Sequence, residues 1–373
     1  MNSSRSSALP NEFRLAVACC RQVYSGDDAD RVAELARLVD WPGFLAVARR
    51  HRIEGLAWHS LDRPGIAVPD AVASELGRSA REIAEHGLRT AAESARLLRA
   101  FGEQGVDLMF IKGLTVGKLA FGNPFLKMSW DLDVLIALDQ VMESAALLEK
   151  LGYSRLVPSA PAGATDLQAW HDRRKESVWI SRDGAIHLEL HGRLVENPRL
   201  IPGLGMGSLR QRVDVAPNIV LPTLARDELF TYLCVHGAMS GWHRLKWLAD
   251  LAALLHGADE KEVDRLHVAA SRLGAGRAAG QALILAHRLF ETPIGNALRR
   301  QLEADRTTRW LVRIALGRMR RDDPTEVRFG TLMIHASHLL LARGWPDKWR
   351  ELRRKARELW RKDTGMPASG KAD

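Results

Sequence analysis

Two short stretches decide the fold: Phe110–Gly113, which reads FIKG, and Ser129–Ile136, which reads SWDLDVLI. The second stretch alternates polar and apolar residues, which predicts a β-strand because successive side chains of a strand point to opposite faces. Asp131 and Asp133 then share one face, and the apolar residues share the other. Two carboxylates side by side repel each other, so we expect a cation to bind between them and compensate their charge.

The expected cation is Mg²⁺ or Mn²⁺, because carboxylate oxygens are the preferred ligands of hard divalent ions. An Asp-x-Asp pair is also common on the solvated face of an edge strand. The spacing by itself therefore does not select between a metal site and a polar surface.

Two flanking patterns favour the metal site. Upstream, the apolar run Val106–Ile111 ends in Lys112-Gly113, which predicts a strand, a turn and then a helix. Backbone N–H groups and a lysine ammonium at such a turn bind phosphate. Downstream, Ile186–His191 alternates again and places Glu189 on one face together with two histidines. A strand of this kind next to the first one would add a third carboxylate.

These patterns resemble the uncharacterised bacterial nucleotidyltransferase family, a branch of the DNA polymerase β-like nucleotidyltransferase superfamily, over roughly residues 100–260. The chain departs from the family pattern at Lys127, where arginine is usual, at Trp130, where a small residue often stands, and at Glu189, where aspartate is common. The residues that carry the resemblance are Lys112, Gly113, Lys127, Ser129, Asp131, Asp133, the segment His187–His191, and later His236, Trp242, Lys246, Trp247 and Asp250.

The resemblance implies a metal-dependent nucleotidyltransferase that moves a nucleoside monophosphate from an NTP to an acceptor hydroxyl, with release of pyrophosphate. Asp131, Asp133 and Glu189 would be the catalytic residues and the ligands of Mg²⁺ or Mn²⁺. The expected substrate-binding residues are Lys112, Gly113, Lys127, Ser129, His191, Trp242 and Lys246. The acceptor stays open between a small molecule, a peptide, a protein and an RNA end, and nucleic acid is not the favoured partner.

Two other functions compete with this one. A catalytically decayed member of the fold would act as a nucleotide-binding or regulatory protein, and Trp130 and the lack of the superfamily's usual Gly-Ser turn support it. Alternatively, His187, Glu189 and His191 would bind Zn²⁺ or Mn²⁺ in a hydrolase. Imidazole and carboxylate suit such ions, but side chains at i, i+2 and i+4 of one strand do not readily converge on one ion.

The predicted fold is α+β, with a small mixed β-sheet core between N-terminal and C-terminal helical regions, and it is predominantly helical overall. The predicted divisions are a disordered start (1–10), a helical region (11–104), the nucleotidyltransferase-like core (105–222), a second helical region (223–345) and a basic amphipathic helix and tail (346–373). Within them the patterns predict strands near 106–111, 131–136, 152–157, 176–181, 185–190 and 211–221, and helices near 71–104, 114–120, 138–150, 259–273, 275–290, 304–321 and 325–343.

The composition favours a soluble protein with anionic partners, but it does not identify the partner. The 373 residues carry a net charge of +9, which favours nucleotides, nucleic acid or anionic membrane as partners. Three cysteines form no disulfide framework, and neither a signal peptide nor an apolar run of membrane-spanning length is visible, so we expect a cytoplasmic protein.

Each of two basic segments has two interpretations, one purely structural and one functional. Asp172–Lys175 is a solvated turn or a contact to phosphate or acceptor. The stretch 346–373 interleaves tryptophan with basic residues, which is typical of a helix that binds RNA or membrane, and more often of a terminal helix docked on the protein.

Overall fold

The computed structural model describes residues 9–159, 164–320 and 340–341, and its fold is α+β and predominantly helical. The chain begins with a helical region. Its helices are α1 (Asn11–Ser25), α2 (Ala29–Ala36), α3 (Trp41–His51), α4 (Glu54–Leu61) and the long α5 (Asp70–Glu103).

Strands and helices alternate in the middle of the chain. The elements there are β1 (Leu108–Phe110), α6 (Leu114–Phe121), β2 (Asp131–Ile136), α7 (Val141–Lys150), β3 (Ser154–Val157), α8 (Ala164–His171), β4 (Glu176–Ile180), β5 (His187–His191), β6 (Arg210–Ala216) and β7 (Ile219–Leu224). The chain then returns to helix with α9 (Arg226–Met239), α10 (Leu245–Leu254), α11 (Glu260–Arg272), α12 (Gly276–Phe290), α13 (Asn296–Ala304) and α14 (Arg306–Met319).

The five-stranded sheet has the order β1-β2-β5-β4-β3 and is mixed. β2 and β5 run parallel at its centre, and the other neighbours are antiparallel. The two strands on which the sequence places the acidic residues are therefore direct neighbours, although more than fifty residues of chain lie between their starts, Asp131 and His187.

The predicted strand at 211–221 is wrong in extent, because the structure contains a hairpin there. β6 and β7 pair antiparallel as a separate two-stranded sheet. The turn between them includes Asn218, whose φ of 62° lies in the left-handed region that asparagine tolerates better than most residues. The apolar alternation continues across this turn, which is why the pattern resembles one long strand.

The two faces of the five-stranded sheet meet different surroundings. One face packs on α5 and α7 in a core that includes Leu97, Phe101, Leu132, Val134, Leu148, Leu188 and Leu190. The helix predicted at 71–104 thus covers this face of the sheet. Leu135, on the opposite face of β2, belongs to a second and larger core with α9, α10 and α12. Burial on both faces explains why β1 is apolar throughout and why β2 ends in the apolar run Val134–Ile136.

Two glycines let the N-terminal helices touch the loop that leads into β2. A Cβ atom at Gly55 would lie 2.2 Å from the carbonyl oxygen of Leu126, and one at Gly87 would lie 2.8 Å from the ring of Phe125. Both contacts are too close for any side chain. The loop before Asp131 is therefore held in place by α4 and α5.

The C-terminal helical predictions are close, except around 296–320. The helices predicted at 259–273 and 275–290 correspond to α11 and α12, but α13 was not predicted. The single helix predicted at 304–321 is α14, which begins at Arg306 because Asp305 caps it and accepts hydrogen bonds from the N–H groups of Thr307 and Thr308. Helix α8 was also missed.

Several predictions lie wholly or mainly outside the described residues: the disordered start at 1–10, the helix at 325–343 and the basic segment at 346–373. Among the described residues, no helix combines the length and the apolar character that a bilayer span requires.

Candidate active site

The register of β2 and β5 aligns the acidic residues across the centre of the sheet. Asp131 lies opposite His187, and Asp133 lies opposite Glu189. Partners in a strand pair project from the same face, so these side chains and His191, two residues further along β5, share one face. Neither strand holds this set alone; the parallel pairing assembles it.

Three of these side chains converge closely. The Nε2 atom of His191 lies 3.1 Å from Oδ1 of Asp133 and 3.2 Å from Oε2 of Glu189. One ligand atom of each of the three residues lies within 4.8 Å of the others. Two carboxylates and one imidazole at these separations form a donor set that suits a divalent cation.

Lys112 neutralises part of this acidic cluster. Its Nζ atom lies 2.7 Å from Oδ1 of Asp133, and the Asp133 side chain is almost fully buried. Burial alone would lower the pKa of Lys112, but the charges of Asp133 and Glu189, the buried Tyr232 and the hydrogen bond to Asp133 together outweigh burial and raise that pKa well above the usual value. The pKa of Asp133 shifts in the other direction. Burial disfavours its ionised form, but Lys112 and the hydrogen bond from His191 stabilise the carboxylate and lower its pKa.

A second layer of polar groups surrounds His191. Nδ1 of the ring lies 3.4 Å from Oε2 of Glu176 on β4, and Lys175 pairs with the same carboxylate. Tyr232 of α9 is buried beside the cluster, where burial raises its pKa to about 12. Burial and Lys175 oppose protonation of His191, but its hydrogen bonds to Asp133 and Glu189 raise its pKa.

The second-layer residues were not singled out from the sequence, apart from Lys175 as the last member of the basic segment at 172–175. Glu176 is the one with a detectable signal, because it opens an alternating strand next to that segment. Tyr232 lies in a nearly continuously buried helix and offers no periodicity by which it could have been found.

Asp131 differs from Asp133 in its surroundings. It lies at the start of β2, is only partly buried, and falls outside the three-residue group that converges around His191. Burial raises its pKa, and the charges of Glu189 and Asp133 raise it further. Lys112 offsets these charges only in part, and a bound cation would relieve the remaining repulsion.

The Lys-Gly turn has the predicted form. Gly113 has a φ of 69° and directly precedes α6, so the N-terminus of this helix lies beside Lys112. A Cβ atom on Gly113 would lie 3.0 Å from Oγ of Ser129, whose hydroxyl donates to the carbonyl oxygen of Asp131. Ser129 thus joins the Lys112-Gly113 turn to the start of β2.

Two predicted substrate-binding lysines have other partners. Nζ of Lys127 lies 2.5 Å from Oδ2 of Asp250 in a buried ion pair. Lys246 donates to the carbonyl oxygen of Met128 at 3.3 Å, and burial, with Lys127 and Arg52, lowers its pKa to about 7. Asp250 therefore pairs with Lys127 rather than with Lys246, which precedes it by one helical turn.

Trp242 is a clear correction. Its side chain has no exposed surface, and its ring packs so closely on Gly237 that a Cβ atom there would lie 2.3 Å away. A ring that is enclosed on all sides has no face to offer a nucleobase. Its prediction as a substrate-binding residue is replaced by a packing role in the helical core.

The comparison with known proteins agrees with this geometry. No curated protein sequence matches the chain. A family model described as "Uncharacterised nucleotidyltransferase" matches residues 37–291, a range that begins before α3 and ends just after α12. This match extends over more than half of the chain and includes every residue of the acidic cluster. The chain belongs to this family of uncharacterised nucleotidyltransferases.

Proposed function

We propose that the protein is a metal-dependent nucleotidyltransferase that transfers a nucleoside monophosphate from an NTP to an acceptor hydroxyl and releases pyrophosphate. The observation that carries the proposal is the convergence of Asp133, Glu189 and His191 next to the Lys112-Gly113 turn at the start of α6. Acidic ligands for a cation and donors for phosphate then lie on the same side of the sheet.

The side chains fit a divalent ion chemically. Among the described residues, Nδ1 of His191 is a buried nitrogen with no hydrogen-bond partner, and the carboxylate of Glu176 lies 3.4 Å from it. Histidines that bind metals commonly turn their other nitrogen towards such a carboxylate. A His191 that presents Nε2 to an ion would carry its proton on Nδ1, facing Glu176.

The metal ligands in this proposal are Asp131, Asp133 and Glu189, with His191 as a fourth candidate from the structure. A divalent ion, when bound, supplies positive charge to the phosphates and to the acceptor oxygen. Either Mg²⁺ or Mn²⁺ suits this set of oxygen donors. Asp131 gains most from such an ion, because Lys112 forms its ion pair with Asp133 and only partly offsets the charges of Asp133 and Glu189 at Asp131.

The chain's own residues orient the donor nucleotide. When the NTP binds, the ammonium of Lys112 leaves Asp133 and pairs with the triphosphate. The backbone N–H groups that follow Gly113 contact the same phosphates. The acceptor oxygen bonds to the α-phosphorus while the bond to the α,β-bridging oxygen breaks, and pyrophosphate leaves. The hydroxyl proton passes to a carboxylate, for which we propose Glu189. Positioning and charge stabilisation then provide most of the rate.

The decisive test is calorimetric titration with non-hydrolysable ATP, GTP, CTP and UTP analogues, with and without Mg²⁺. We expect one or more analogues to bind in a metal-dependent manner, and Asp131→Asn and Asp133→Asn to abolish that dependence. Asp139→Asn, an exposed carboxylate just beyond β2, is the matched control and should bind as wild type does. Wild-type binding that ignores both the metal and the two site variants would refute the proposal.

One observation favours the alternative, a nucleotide-binding or regulatory protein without catalysis. The ammonium of Lys112 already lies 2.7 Å from Asp133, where it supplies a positive charge of its own. A nucleotide-binding or regulatory protein of this kind would bind nucleotide equally well in EDTA and in Mg²⁺. It would also release no pyrophosphate with any acceptor offered, whether a small molecule, a peptide, a protein or an RNA end.

A further inference from the structure

Trp130 is unusual in its exposure. Among the residues that the structure describes, it is the only tryptophan, tyrosine or phenylalanine that lies mostly open to solvent, with 52% of its surface exposed. It immediately precedes Asp131, the first residue of β2. The exposed ring therefore belongs to the residue next to the first carboxylate of the candidate site.

The indole is held in place on one side. The ring of His86, on α5, lies 6.0 Å from it at an angle of 48°. His86 also donates from Nε2 to the carbonyl oxygen of Ser129 at 2.9 Å, and the Ser129 hydroxyl in turn donates to the carbonyl oxygen of Asp131. The backbone is thus anchored on both sides of Trp130. An aromatic side chain fixed in this way loses little conformational freedom when a ligand stacks on it.

The position of the ring relates it to the phosphate-binding turn. Ser129, the preceding residue, packs against Gly113, where a Cβ atom would lie only 3.0 Å from its hydroxyl oxygen. A nucleotide with its phosphates at the Lys112-Gly113 turn therefore has its base and sugar to place around the Ser129-Trp130 corner. A flat, half-exposed indole there offers a face on which a nucleobase can stack.

We propose that Trp130 is the stacking platform for the nucleobase of the donor nucleotide, an inference that rests on the proposed function. Every base has a π-face, so stacking of this kind tolerates all four bases and binds the larger purines better than the pyrimidines. His86 is the positioning residue behind the indole.

The test compares a nucleotide with a ligand that has the phosphates but no base. Wild type, Trp130→Ala and Trp130→Phe are titrated with a non-hydrolysable ATP analogue and with inorganic tripolyphosphate, each in Mg²⁺. Trp130→Ala should bind the ATP analogue about 5- to 100-fold more weakly, which is the range for loss of one stacked base. Its affinity for tripolyphosphate should stay within about twofold of wild type, and Trp130→Phe should retain most of the nucleotide affinity.

Leu88→Ala is the matched control, because Leu88 is 55% exposed on the same helix as His86 and its loss removes surface apolar area without removing a ring. It should leave both affinities unchanged. Equal losses for the nucleotide and for tripolyphosphate in Trp130→Ala, or no loss for either, would overturn the stacking role.

The controls separate this inference from the proposed function. If wild type binds neither ligand, the proposed function itself fails. If wild type binds the analogue in a metal-dependent manner and Trp130→Ala binds it equally well, only the stacking role fails. A fluorescence titration gives an independent readout: the quenching caused by the ATP analogue in wild type should be largely absent in Trp130→Phe, even though that variant still binds.

Discussion

The two lysine–aspartate pairs near β2, Lys112 with Asp133 and Lys127 with Asp250, have opposite electrostatic surroundings. Lys112 and Asp133 are 2.7 Å apart, and Lys127 and Asp250 are 2.5 Å apart. In both pairs the aspartate side chain is 5% exposed, but Lys112 is 21% exposed and Lys127 only 6%. Geometry alone would assign both pairs the same role.

The charge left over in each region separates the two. Around Asp133 the excess charge is negative, because Glu189 and Asp131 lie close by. Burial and the charges of Glu189 and Asp133 raise the pKa of Asp131. Around Asp250 the excess is positive, and burial together with Lys127 and Arg52 lowers the pKa of Lys246 to about 7. A surplus of carboxylates attracts a cation, whereas the closed pair of Lys127 and Asp250 joins the β2 loop to α10.

The largest effect is expected from breaking the closed pair. Lys127→Met leaves the carboxylate of Asp250 buried and unpaired, which should reduce the free energy of unfolding by about 3–5 kcal/mol. Urea denaturation monitored by circular dichroism measures this loss. Affinity for a non-hydrolysable NTP analogue, measured where the variant is folded, should stay within about twofold of wild type. A large loss of affinity at full stability would instead assign Lys127 to the substrate, as the family resemblance implies.

The same substitution in the other pair should act on binding. Lys112→Met removes a donor to the triphosphate, and we expect affinity for the NTP analogue to fall by about 10- to 100-fold, the range for losing a charge-assisted hydrogen bond. Calorimetric titration in Mg²⁺ provides the measurement. Unchanged affinity would show that the turn at Gly113 does not bind phosphate, and would remove the functional contrast between the two lysines.

A pH experiment sharpens the contrast further. Because the pKa of Lys246 falls from 10.5 to about 7 on folding, the unfolded chain binds more protons between these values. This group's contribution to stability therefore rises as the pH increases from about 7 towards 10.5, and it is unfavourable below that window. In Lys246→Met the difference in stability between pH 7 and pH 9.5 should be smaller than in wild type. Parallel curves for the two proteins would contradict the assignment.

The smallest effect concerns Asp131. Its pKa is raised in the folded state, so ionisation of this carboxylate weakens the fold as the pH rises through that value. Asp131→Asn should therefore be as stable as wild type or slightly more stable at pH 7, while it loses metal-dependent nucleotide binding. Thermal unfolding without added metal measures the first part. If Asp131→Asn unfolds at a clearly lower temperature than wild type, the carboxylate stabilises the fold rather than binding a metal ion.

Local sequence patterns predicted much of the sheet but not its arrangement. Alternation located β2 and β5 within a residue or two, since a strand's side chains obey a strict period of two. The same pattern failed at β6 and β7, where the alternation continues through the turn at Asn218. Helix α13 was missed, and α14 was predicted to begin too early.

By itself, the sequence determined the acidic face of β2, the lysine-glycine turn before α6 and the resemblance to nucleotidyltransferases, because each depends on neighbours a few residues apart. Only the tertiary structure decided that β5 lies parallel to β2 with Glu189 opposite Asp133, that Trp242 is enclosed, and that Asp250 pairs with Lys127. These contacts join residues tens to more than a hundred positions apart, and which of the available partners meet depends on how the helices and the sheet pack together. Trp130 depends on both the sequence and the tertiary structure. The sequence places it directly before Asp131, and the packing of α5 beside it leaves half of its surface exposed to solvent.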